Sequence, residues 1–151
     1  MKPILLVAML LSTASSAAYA QQTQRIALDA ASLAALPRET VDAEVHGHTL
    51  HCSGVPLGAL LRKAGAVPEK SLHGAALART VLASAHDGYR VAFSLAELDP
   101  ALGDTRVFVV DRCDDKPLDA QDGPLRLLVP GAKRAARSVR QLQSIDVIDA
   151  P

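Results

Sequence analysis

The first twenty residues decide how much chain is left to fold and where it does so. Met1-Lys2 give a short positive start, Ile4 to Leu11 form an apolar run, and Ala18-Tyr19-Ala20 offers the small residues a signal peptidase reads. The pattern predicts a secretory signal peptide over residues 1–20, cleaved after Ala20, and one domain over residues 21–151. The apolar run falls short of the roughly 20 residues a bilayer-spanning helix needs. No second run of that kind follows, so no membrane span is expected after cleavage. Removing residues 1–20 from the 151-residue chain leaves 131, enough for a single domain. No Arg-Arg pair precedes the apolar run. The segment therefore reads as a general secretory signal, which threads the chain unfolded and implies a periplasmic destination.

An oxidising destination bears on the chain's two cysteines, Cys52 and Cys113. They can pair, closing a long loop that would stabilise the fold by roughly 4 kcal/mol on a chain-entropy argument. Two separate buried thiols fit the sequence equally well, and a metal or redox role is a third reading. Charge is evenly balanced, at 16 basic and 16 acidic residues. That balance argues against a nucleic-acid partner, whose recognition relies on an excess of Lys and Arg.

Local patterns predict short helices between strands. Residues 28–36 suit a helix capped by Asp29 and ended by Pro37, and Val41 to Leu50 reads as a half-buried strand because Val41, Ala43 and Val45 alternate with polar residues. Ser53 to Pro56 should turn the chain into a helix with Leu57, Leu60, Leu61 and Ala64 on one face and Gly65 at its end. Asp87-Gly88 predicts a type I′ hairpin pairing Val81 and Ala83 with Val91 and Phe93. Ser94-Leu95-Ala96-Glu97 spells a capping box. Arg106–Val110, Leu125–Val129 and a last segment with Ile145 and Val147 read as strands, with a charged turn over Asp111–Lys116. The class is α+β, with a mixed or largely antiparallel sheet and a core of Leu, Val, Ile and Ala.

Two groups of residues can carry chemistry. His46, His48 and Cys52 would share a strand face, with His51 pointing away, and such a set can hold zinc or copper. The same residues also suit a solvated strand edge, closely spaced cysteine pairs are missing, and no metal ligand is assigned. Lys133, Arg134, Arg137 and Arg140 form the chain's local concentration of positive charge, after Pro130-Gly131, where guanidinium forks can hold phosphate or carboxylate. A solvated face is the plainer reading of such a run. No Ser-His-Asp order, glycine-rich phosphate loop or His-Glu-x-x-His occurs, and no residue is given a catalytic role.

Read in order, Gly54-Val55-Pro56-Leu57 with Leu60-Leu61 and Ala64-Gly65, Asp87-Gly88-Tyr89, Lys116-Pro117-Leu118, Gly123-Pro124-Leu125-Arg126-Leu127, Val129-Pro130-Gly131 and Arg137-Ser138-Val139-Arg140 resemble the oxidoreductase molybdopterin-binding domain family. The resemblance spans residues 33–148 and implies the sulfite-oxidase fold. It also implies that Arg137, Ser138 and Arg140 contact the phosphate end of a pterin, which makes molybdopterin the one cofactor with family support; otherwise none is expected. In catalytic members a cysteine in a Cys-x-Gly-Asn type segment, well before the Gly-Val-Pro-Leu turn, holds molybdenum, and that segment is absent here.

Three functions follow as expectations. The first is a periplasmic domain without molybdenum catalysis that binds an anionic small molecule or a periplasmic protein partner near Arg137 to Arg140. The second is an authentic molybdopterin-dependent oxidoreductase with Cys52 recruited as ligand and His51 or His86 handling protons. The third is a zinc or copper binder using His46, His48 and Cys52.

Overall fold

A computed structural model describes residues 21–150. The expected signal peptide and its cleavage point lie outside the described residues, as does Pro151. Strand β1 (Thr23–Ile26), which the sequence reading missed, leads into helix α1 (Ala30–Ala34). Asp29 caps α1 by accepting from the Ser32 N–H, which also holds its carboxyl below the usual range.

The expected strand over Val41–Leu50 is two strands. Strand β2 (Glu39–Val45) and strand β3 (His48–Pro56) form a hairpin whose turn is His46-Gly47. Both turn residues take positive φ, 52° and 81°, as a two-residue type I′ loop requires. Ser53 to Pro56 does not turn the chain but continues β3, with a bulge between Ser53 and Gly54. Gly54 is needed there, because a Cβ would meet the Val109 carbonyl and lie 2.7 Å from Val110 Cα.

Helix α2 (Leu57–Lys63) ends as expected: Gly65, at φ 68°, and Ala66 donate to the carbonyls of Arg62 and Leu61. A 3₁₀ turn (Gly74–Ala78) precedes strand β4 (Thr80–Ala85). Strand β5 (Arg90–Ser94) pairs with β4 in the expected register, Val81 with Phe93 and Ala83 with Val91. The turn is not type I′. Within it only Gly88 has positive φ, and its N–H donates to the Ala85 carbonyl, which marks a longer loop with glycine in the left-handed position. Helix α3 (Leu95–Leu98) opens with Ser94 accepting from the Glu97 N–H.

Strand β6 (Phe108–Cys113) runs three residues past the expected end, and the turn contracts to Asp114-Asp115 before strand β7 (Lys116–Pro117). Strand β8 (Arg126–Leu128), a 3₁₀ turn (Ala135–Arg137) and strand β9 (Leu142–Ile148) complete the chain.

The strands form two antiparallel sheets, one ordered β1-β9-β4-β5 and one ordered β2-β3-β6-β7 with β8 also on β6. The larger core gathers Val81, Ala83, Phe93, Ile145 and Val147 of the first sheet, Leu57, Leu60 and Leu61 of α2, and Val55, Val109 and Leu127 of the second sheet. Each large side chain so buried contributes about 1.5–3 kcal/mol. Phe108 and Val110 alternate with Val109 and face the other way, into a smaller core with Val41, Ala43, Val45, Cys52 and Leu128. Strands β6, at Phe108–Val110, and β8 are thus buried on both faces, and the 130–140 segment lies at the sheet's edge, where Val139 bridges to Leu127.

Candidate functional site

Pro130-Gly131 and the 3₁₀ turn at Ala135–Arg137 carry the basic segment out of β8 and back toward β9. Gly131 takes φ 77°, which lets the chain reverse, and the Val129 N–H donates to Ser138 Oγ across the base of the loop. The loop has a hollow on each side.

The first hollow has a volume of about 710 Å³ and is lined by Lys133, Arg134, Ser138 and Arg140 on the loop side. The β2–β3 hairpin tip, through Glu44, His46 and Gly47, and the β4–β5 turn, through Asp87 and Tyr89, form the facing wall. Tyr89 is 46% exposed, and its hydroxyl donates to the Ala136 carbonyl at 2.6 Å, which fixes the ring against the loop. The second hollow, about 750 Å³, is lined by Asp104, Thr105 and Arg106 opposite Pro130, Gly131, Lys133, Arg134 and Arg137.

The structure does not bring the three expected anion ligands into one cluster. Ser138 and Arg140 line the first hollow, and Arg137 lines the second. Arg137 is already engaged: its guanidinium pairs with Glu97 at 2.7 Å and lies 4.5 Å from the centre of the Phe93 ring. Arg140 is freer, with its side chain 62% exposed and its nearest carboxylate, Asp122, 3.9 Å away. Lys133 and Arg134 line both hollows, and among the described residues they join none of the ion pairs. Arg126 is buried under this region and paired with Asp122, with its Nε lacking a hydrogen-bond partner.

Two other readings of the sequence are corrected. Cys52 is bonded to Cys113, directly across the β3–β6 pair, so neither sulfur is a thiolate. The chain has no other cysteine, and the residues present do not fit a molybdenum centre held by a cysteine. His51 and His86 line separate hollows, His51 beside Cys52 and His86 beside Gln141, and neither faces the basic loop. For the zinc or copper reading, His46 sits in the hairpin turn rather than on a strand face with His48, and the Cys52 sulfur is taken. Among the described residues no group of His, Cys, Asp or Glu is arranged to hold a metal ion. His51 Nδ1 lies 2.8 Å from Asp42, and that hydrogen bond and charge raise the imidazole above the ordinary value of 6.5.

Sequence reasoning missed the facing wall of the first hollow. Glu44, Asp87 and Tyr89 come from turns far apart in the chain, and only the His-Gly turn signal at 46–47 could have placed Glu44 at a hairpin tip. A comparison with curated proteins found no match. The family model described as oxidoreductase molybdopterin binding domain matches residues 20–151.

Proposed function

We propose that this chain, which belongs to the oxidoreductase molybdopterin binding domain family, is an exported member that binds an anionic ligand without molybdenum catalysis. The observation that carries the reading is the Cys52–Cys113 bond, which leaves no thiolate for a metal. The export reading rests on the pattern of residues 1–20 and agrees with a disulfide-bonded product.

The basic loop supplies what remains of a ligand site. Lys133, Arg134 and Arg140 present cations to the first hollow, and Ser138 adds a hydroxyl that can donate while its oxygen accepts from Val129. Arg137, held by Glu97 and Phe93, anchors the loop and adds its charge from the other side.

Metal analysis of protein purified from a cofactor-replete cell tests the first half of the reading. Molybdenum far below one atom per chain is expected, and stoichiometric molybdenum overturns it. Titration with inorganic pyrophosphate tests the second half. Saturable binding that weakens with added salt is expected, and pyrophosphate binding that the Arg134→Ala and Arg140→Ala variants leave unchanged would refute the placement.

A further inference from the structure

We propose that the first hollow takes a small molecule carrying both signs of charge, a phosphate monoester that also bears a primary amine. This rests on the anion-binding reading of the loop and deepens it by naming the ligand class.

The charges of this hollow are divided by wall. Lys133, Arg134 and Arg140 come from the loop side, and Glu44 and Asp87 come from the facing wall, where His46 and the Tyr89 phenol are the other titratable groups. Opposite charges that line one hollow attract each other, yet among the described residues none of these cations pairs with either carboxylate. Arg140 has Asp122 3.9 Å away, outside the lining. The separation has a structural cause. The Tyr89 hydroxyl, donating to the Ala136 carbonyl at 2.6 Å, is a strut between the β4–β5 turn and the loop. Asp87 Oδ1 is drawn back by the Tyr89 N–H at 2.9 Å, and Glu44 Oε1 by the Thr49 hydroxyl. Those bonds leave Asp87 Oδ2 and Glu44 Oε2 for a ligand.

A ligand of one sign meets one favourable wall and one unfavourable wall. A plain anion gains the guanidinium forks but faces Glu44 and Asp87 as like charges, and a plain amine meets the reverse. A molecule with both groups satisfies each wall. Three cations and the Ser138 hydroxyl suit the several oxygens of a dianionic phosphate monoester better than a lone carboxylate. An ammonium brings three donors to the two carboxylates. Lys133 and Arg134 also line the second hollow, but there Asp104 is the lone carboxylate beside Arg106 and Arg137, so the first hollow alone sets two carboxylates against its cations. At about 710 Å³ it has the size of a small-molecule site.

The probes are aminoethyl, aminobutyl and aminohexyl phosphate, each set against the matching plain alkyl phosphate, titrated by calorimetry into the full mature chain. EDTA in the buffer keeps a metal ion from bridging phosphate to carboxylate. The expected result is that the best amino compound binds at least about tenfold tighter than its plain counterpart. The isosteric double substitution Glu44→Gln with Asp87→Asn, which keeps the acceptors for Thr49 and Tyr89, should collapse that ratio to near one. Plain alkyl phosphates binding wild type as well as the amino compounds overturns the proposal, and so does a ratio that survives the double substitution. The wild-type comparison decides even if the variant fails to fold. If pyrophosphate binds and the amino group brings no advantage, the anion-binding reading stands and this one falls. If neither pyrophosphate nor any of the phosphate monoesters binds, both fall.

Discussion

Reducing the Cys52–Cys113 bond should cost this domain a large part of its stability. The two cysteines are 61 residues apart in sequence, and closing a loop of that length removes about 4 kcal/mol of entropy from the unfolded chain. Domains of this size have a total stability of about 5–15 kcal/mol. With a urea slope of about 1.5 kcal/mol/M, the midpoint should fall by roughly 3 M. The melting temperature should drop by roughly 15 °C. Two samples separate the cross-link from the packing around it. Reduced wild type loses the cross-link and keeps both sulfur atoms. The double variant Cys52→Ala with Cys113→Ala also loses the sulfur that Cys52, 1% exposed, packs against Val41, Phe108 and Val110. It should be weaker by a further 1 kcal/mol or so. Alanine is preferable to serine, since a hydroxyl at Cys52 would be buried without a partner. Urea unfolding followed by circular dichroism reads both. A reduced wild type within about 1 kcal/mol of the oxidised protein would refute the loop-closure argument.

Other expectations test separate parts of the structure. Gly54→Ala should destabilise by about 3 kcal/mol, read by thermal melting, because its Cβ would press on the β6 backbone at Val109 and Val110. Gly47→Ala, with open space around it but φ 81°, should cost only about 1 kcal/mol. For His51, a proton NMR titration should give a midpoint above 6.5, and Asp42→Asn should return it toward that value. The sign follows from the raised folded-state value. Stability from the His51–Asp42 pair is fully present below pH 6.5 and is lost as pH rises through the folded midpoint, so a midpoint at or below 6.5 would contradict the contact. Phe93→Leu should cost about 1 kcal/mol in the core and also remove the ring beneath Arg137. Faster amide exchange at Ala136 and Ser138 is the expected sign of the loosened loop, and unchanged exchange there would show that the ring does not hold it.

The helices and the central strands were legible because their signals are local. Asp29, Ser94 and Gly65 sit at helix ends whose capping needs only neighbouring residues. The β2–β3 hairpin was misread for a physical reason. A two-residue turn makes Val45 pair with His48, so inward-facing positions change from odd (Val41, Ala43, Val45) to even (Leu50, Cys52) across it. That phase change, together with Gly47, was the available signal. Strand β1 has only four residues, of which Ile26 alone is buried, too little for a pattern. At the candidate site the basic run was visible as a run. Which cations are free was not, because Glu97 comes to Arg137 from 40 residues away and Phe93 comes with it through the β4–β5 hairpin.

The place of β9 fixes when the molecule can become itself. It lies between β1 and β4, and through that position the first described strand and the last are neighbours, Ile26 opposite Ile145 and Thr23 opposite Ile148. A growing chain that has not yet produced residues 142–148 holds the β4–β5 ribbon, which would be marginal alone, and a β1 with nothing beside it. The first sheet therefore closes only once residues 142–148 are in hand. A truncation before Leu142 should therefore leave a protease-sensitive chain rather than a smaller version of the fold.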